Sequence, residues 1–163
     1  MPYIPIVQIE AAIIDRLRSR IQDVVVDAYP DKPESYQLKH PAGALLVRYT
    51  GSRFGPPDPT DVVAQQQTVT VEVVSLVRNL HKLGDHAGLL DLLDAVRTAL
   101  TGFRIPGGPP LHPTTEEFKN YADGIWEYAT AFETSMAHTE PARTRPKIEY
   151  TEGVGYADDQ PTL

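Results

Sequence analysis

The sequence predicts an α+β fold: a mainly antiparallel sheet of about five strands, two principal helices, and an extended C-terminal arm. Three observations predict it. Apolar residues recur at helical spacing in two places, at Ile6, Ile9, Ile13, Leu17 and Ile21 and again at Leu89, Leu93, Val96 and Leu100. Val69, Val71 and Val73 alternate with Thr68, Thr70 and Glu72, the period of a strand with one face buried. Asp123-Gly124 separates two aromatic-rich runs, as a tight hairpin turn does.

The elements follow in order. The first helix spans about residues 6–21, with Arg16, Arg18 and Arg20 near its end, where cations complement the helix dipole. Val24, Val25 and Val26 are a β-branched run closed by Tyr29-Pro30, hence a short strand. Residues 31–40 are polar and flanked by prolines, a loop. Residues 44–50 form a buried strand ending at Gly51, and residues 51–59, with Pro56, Pro57 and Pro59, form an exposed excursion. Residues 66–78 return to strand. Gly84-Asp85 opens the second helix with Asp85 as N-cap, and Gly102 closes it in a left-handed turn. Residues 105–113 hold four prolines and two glycines and form a further loop. The hairpin carries Phe118 and Tyr121 in one arm and Trp126, Tyr128, Thr130, Phe132 and Met136 in the other.

Composition bounds the function. The chain has 163 residues, 41% hydrophobic and 23% charged, the profile of one domain with one core, expected over residues 1–138. Cysteine is absent, which excludes disulfides and thiolate metal sites. The net charge of −7 and the scatter of basic residues argue against tight DNA binding; an acidic wall would instead let passing phosphates slide. No window approaches the roughly 20 apolar residues of a membrane span, and the first residues lack a basic leader. Residues 139–163 change character, with three prolines, three basic and five acidic residues and few aliphatics. Two readings stay open for them: a disordered terminus, or an arm that orders on a neighbour through Ile148, Tyr150, Val154 and Tyr156.

Candidates for chemistry are weak. His40, His81, His86, His112 and His138 show no ligand spacing and read as solvated or capping residues. Ser52 lies between Gly51 and Gly55 in the wrong register for a nucleophile elbow. Asp91 and Asp94 are three apart on a helix and read as its wet face, a shared metal being the alternative. Gly107-Gly108 lacks the lysine and hydroxyl of a phosphate loop, and Glu116 and Glu117 read as solvated. No cofactor is expected. Protein-interface candidates are Arg53, Phe54 and Arg78, together with the four arm residues. Arg53-Phe54 in a proline-flanked loop has the composition of a binding hot spot, the alternative being a loop that folds back to bury Phe54. Trp126, in alternation with Tyr128 and Phe132, reads as core, an interface position being the alternative.

Residues 36–49 continuing into 51–54, residues 92–103, and residues 123–128 resemble the Mu-like prophage protein family found between head and tail genes. The resemblance runs over about residues 6–138. Members are similar to tail terminators (tail completion proteins) of contractile-tailed phages and phage-tail-like particles. It implies an α+β subunit of a ring, usually of about six copies, on the head-proximal end of the tail tube. Such a ring stops tube and sheath growth and offers a docking face to the neck. The implied partners are other copies of the chain, tail tube protein, sheath protein and neck or connector proteins, with genomic DNA passing through the bore unbound and no membrane. The implied location is the virion, after assembly in the host cytoplasm. The resemblance implies no catalytic residues. The alternatives are another head–tail joining protein, such as a neck or stopper component, and a small hydrolase using Ser52 or a metal at Asp91 and Asp94.

Overall fold

In the computed structural model, which describes residues 4–59, 61–84, 88–106 and 108–142, the apolar period of the first segment becomes helix α1, Ile6–Arg20. Ile9, Ile13 and Leu17 are fully buried, and Ile6 and Ile21 pack half-buried on the same core. Strand β1, Val25–Ala28, follows, then a single 3-10 turn at Pro33–Ser35. Strands β2, Ala44–Phe54, and β3, Ala64–Val77, precede helix α2, Leu89–Leu100, and the chain closes with β4, His112–Ala122, and β5, Ile125–Thr139. The five strands form one sheet in the order β1-β2-β3-β5-β4. Only β1 and β2 run parallel; the other three pairings are antiparallel. This is the predicted α+β architecture.

Both helices cover one face of the sheet. Val69, Val71, Val73 and Val77 of β3 meet Leu45 and Val47 of β2, Phe132 and Met136 of β5, and the apolar stripes of α1 and α2. Each buried Leu or Ile stabilises by roughly 1.5–3 kcal/mol relative to an exposed one. Arg16 adds a polar tie between the helices, its Nε donating to the carbonyl of Ala99 at 3.0 Å while its guanidinium lies over Phe103.

The structure departs from the sequence-based expectation at four places. The second β-strand does not end at Gly51 but continues to Phe54, because a bulge between Tyr49 and Gly51 lets the ladder with β3 resume at Gly51↔Thr70. The prolines at 56, 57 and 59 then terminate it. Residues 31–40 are not merely a polar loop. They lie over the second face of the sheet, where Leu38 is buried with Ala44, Leu46, Val74, Leu76 and Ala129, and Tyr36 packs half-buried on that cluster. Helix α2 starts at Leu89 after Gly88, whose N–H donates to Asp91 Oδ2 at 3.4 Å. Asp85, the expected N-cap, lies outside the described residues. Finally, β4 starts at His112, inside the proline-rich stretch expected to be loop, and β5 runs one residue past the expected boundary at His138, to Thr139.

Gly102 does have the positive φ expected of it, +77°, but as the third residue of a β-turn and not as a left-handed helix cap: Thr101 is extended, the Phe103 N–H donates to the Leu100 carbonyl at 3.0 Å, and the Gly102 N–H donates to the Leu111 carbonyl at 2.8 Å. Asp123 and Gly124 both have positive φ, +54° and +74°, the requirement of a two-residue type I′ hairpin.

Candidate interaction surface

Strand alternation decides which side chains can act together. Successive side chains on a strand point to opposite faces, so the register sorts β2, β3 and β5 into a helix-covered face and an open face. Arg48, Arg53, Thr70, Glu72 and Glu133 fall on the open face. There Arg48 Nη2 meets Glu72 Oε1 at 2.6 Å and its guanidinium stacks over Tyr29 at 4.5 Å. Arg53 Nη2 reaches both carboxylate oxygens of Glu133, at 3.0 and 3.2 Å, and Thr70 Oγ1 donates to the same carboxylate at 3.2 Å. The face thus carries two ion pairs, Arg48–Glu72 and Arg53–Glu133.

Arg53 and Phe54 therefore do not form one hot spot in a loop, as the sequence suggested. They are consecutive residues of β2 and face opposite ways. Phe54 is neither folded into the core nor isolated: it is 52% exposed and lies edge-on to His138 at 5.3 Å. Arg78 is exposed, and its Nη2 donates to the carbonyl of Leu38 at 2.9 Å, pinning the segment that crosses the second face. Ile148, Tyr150, Val154 and Tyr156 lie outside the described residues.

The candidates for chemistry resolve into ordinary structural bonds. Ser52 Oγ receives hydrogen bonds from Tyr49 Oη at 3.0 Å and Gln67 Nε2 at 2.9 Å, with no base among its partners. Asp91 caps its own helix, and Asp94 pairs with Arg97 one turn on. His40 Nδ1 accepts from the N–H of Ala42 at 3.2 Å within its loop. Glu116 is not simply solvated: Thr130 Oγ1 donates to it at 3.0 Å and Arg97 Nε lies 3.5 Å away, whereas Glu117 pairs with Lys119 at the surface. That pairing holds the Lys119 ammonium above its usual pKa, the hydrogen bond it donates to Glu117 being the main cause. Among the described residues no group of three or more His, Cys, Asp or Glu side chains could hold a metal. Among them, no helix is long and apolar enough to cross a membrane.

The surface that sequence reasoning missed is the β4–β5 hairpin. All eleven residues of β4 are exposed, and among the described strands its neighbour is β5 alone. Phe118 and Tyr121 are 52% and 54% exposed and stack on half-buried Trp126 and Tyr128, with centroids 4.5–6.1 Å apart. Trp126 is thus the floor of an exposed aromatic patch as well as a flank of the core. The signal was present in the alternation of Phe118 with Tyr128 and of Tyr121 with Trp126 across the Asp123-Gly124 turn. What the sequence did not carry was that neither helix extends over them.

The described residues form an α+β domain that leaves the aromatic side chains of Tyr49, Phe54, Phe118 and Tyr121 exposed, together with aliphatic Val7, Val62, Val63, Leu83 and Leu90. A family model described as Gp37 protein matches residues 13–154. The chain belongs to the Gp37 protein family. No curated protein matches it. Among solved structures, a chain from "Virion of native gene transfer agent (GTA) particle" is similar, with a TM-score of 0.45 and 16% identity over 84% of this chain and 100% of that one.

Proposed function

We propose that this protein is a structural virion component, a tail terminator that forms a ring on the head-proximal end of the tail tube, halts tube and sheath growth and presents a docking face to the neck. The observation that carries the reading is the contrast between satisfied polar groups and unsatisfied apolar ones. The carboxylates of Glu72, Glu116 and Glu133 and the hydroxyl of Ser52 have protein partners, while Phe54 at one end of the sheet and Phe118 and Tyr121 at the other are more than half exposed. Catalysis needs polar groups held ready for a substrate; assembly needs apolar groups held ready for a neighbour. Membership of the Gp37 protein family supports the same reading. A terminator binds a growing tube on one face and refuses a further ring on the other, so its work is shape discrimination without turnover. The net charge of −7, repeated around a ring, would keep a passing genome from adhering to the bore.

Electron microscopy of the purified protein, alone and with polymerised tail tubes, tests this. The expected images are rings of tube diameter that cap tube ends and arrest elongation. Binding to the portal side with no effect on tubes would assign the chain to the neck instead. Loss of infectious particles in Ser52→Ala or Asp91→Ala/Asp94→Ala, with rings still forming normally, would reopen the enzymatic reading.

A further inference from the structure

We propose that the β4–β5 hairpin is the male half of a head-to-tail contact between two copies of this chain, its aromatic face seating on the cleft that residues 21–24 and 40–42 form with α2 of the next copy. The inference rests on the ring reading and assigns the surfaces that close the ring.

Three features point to it. First, the hairpin docks by its side-chain face and not by strand addition. The outer edge of β4 is interrupted by register shifts between Pro113 and Thr115 and between Phe118 and Asn120, which break the row of donors and acceptors that a further strand would need. The aromatic face has no such interruption: Phe118, Tyr121, Trp126 and Tyr128 form one continuous stack.

Second, the receiving cleft stands level with the patch on the opposite side of the molecule. The register row Val25↔Ala44↔Leu76↔Glu127↔Asn120 crosses all five strands. At its β1 end, just before Val25, a cleft of about 400 Å³ opens between Ile21 and Val24 of the segment joining α1 to β1, Pro41, and Leu92 and Ala95 of α2. At its β4 end stand Phe118 and Tyr121. Two different patches at equal height on opposite edges suit a heterologous contact that closes by rotation, where a vertical offset would favour an open helix.

Third, the polar groups match. Arg20, exposed at the end of α1 with no partner among the described residues, borders the adjoining groove along Ala95. It can meet the exposed Asp123 carboxylate of the hairpin turn. Asp23 and Asp91 on the cleft rim would repel that carboxylate, but either one can accept the single hydrogen bond that the Tyr121 hydroxyl donates. The floor offered by Ile21, Leu92 and Ala95 is apolar, as an aromatic anchor requires.

The chain has no native cysteine, so engineered pairs report unambiguously. Full-length Tyr121→Cys and Ala95→Cys are mixed and oxidised, alongside the double variant and a control pairing Tyr121→Cys with Val7→Cys at the other end of α1. The expected result is a disulfide dimer only when Tyr121→Cys and Ala95→Cys are both present. The double variant should give a reducible ladder ending in one closed species. Phe118→Asp/Tyr121→Asp should weaken self-association roughly tenfold or more while leaving the urea midpoint unchanged. Rings that form without this cross-link, or that tolerate Phe118→Asp/Tyr121→Asp, would overturn the inference, leave the ring reading standing and give the patch to tube, sheath or neck. A chain that stays monomeric at every concentration and at tail ends would overturn both.

Discussion

Arg48 and Glu72 stand opposite one another on β2 and β3, 2.6 Å apart, with Tyr29 stacked on the outer side of the guanidinium. Glu72 is only 14% exposed, so the pair is largely withdrawn from water and each charge depends on the other. Glu72→Ala leaves an uncompensated cation on the sheet and is expected to cost about 1–3 kcal/mol in urea unfolding. Arg48→Ala/Glu72→Ala should recover part of that loss, so a double-mutant cycle will show coupling of about 1 kcal/mol or more. A cycle with no coupling would make the pair a bystander.

Gly43 precedes β2 at the point where the chain passes closest to β3. Its φ is +119°, and a Cβ there would lie 2.6 Å from the carbonyl oxygen of Leu76. Gly43→Ala combines a backbone conformation that L-residues avoid with a clash against immovable backbone. The expected loss is about 2–4 kcal/mol, which lowers Tm by roughly 2–4 °C per kcal/mol for a chain of this size. Thermal melts monitored by circular dichroism check it.

Phe132 and Phe118 lie on the same face of adjacent strands and should respond very unequally to truncation. Phe132 is 1% exposed within the core, so Phe132→Ala should cost about 3–5 kcal/mol. Phe118 is half in water, so Phe118→Ala should cost under about 1 kcal/mol in the isolated chain. Equal losses in urea titrations would mean that the hairpin face belongs to the monomer's stability and not to a contact.

Tyr36 titrates late. Burial, and then the negative charge of Asp27, raise its phenol above the ordinary 10.0. Because the folded value is the higher one, its contribution to stability is complete below about pH 10 and is lost as pH rises through the folded value. Alkaline unfolding curves of wild type and Tyr36→Phe should therefore coincide near neutrality and separate above pH 10, with the variant falling less steeply. Ultraviolet phenolate absorbance gives an independent reading.

Ending the chain after Ala142 keeps β5 whole, together with the bond from the Glu140 N–H to the Val63 carbonyl. The shortened protein should keep its urea midpoint within about 0.5 kcal/mol and lose strength in ring or sheath contacts. Collapse of the cooperative transition would show that residues 143–163 belong to the fold.

Periodicity made the element order legible because each period is local: Ile9, Ile13 and Leu17 mark one helix face whatever surrounds them, and Asp123-Gly124 marks its turn unaided. Non-local facts were not legible. Gly51 looked like a strand end because nothing near it announces the partner, Thr70, with which the ladder resumes. Leu38 looked like a stray apolar residue in a polar loop until the open face of β2 and β3 came to lie beneath it. The candidate surface was half legible. Arg53 and Phe54 were found as residues but misjudged as a unit, since one residue of strand sends them apart. Phe118 and Tyr121 were placed in the hairpin, yet their exposure depends on where two helices stop.

Among the described residues the longest ladder joins β3 to β5, paired from Ala64↔Thr139 to Val77↔Trp126. At about 3.4 Å per residue it spans roughly 45 Å without a register shift. A pull directed along these strands loads every rung at once, whereas a pull across them would unzip one rung at a time. A subunit mounted with β3 and β5 along the direction of traction would resist that traction in shear, its stiffest mode.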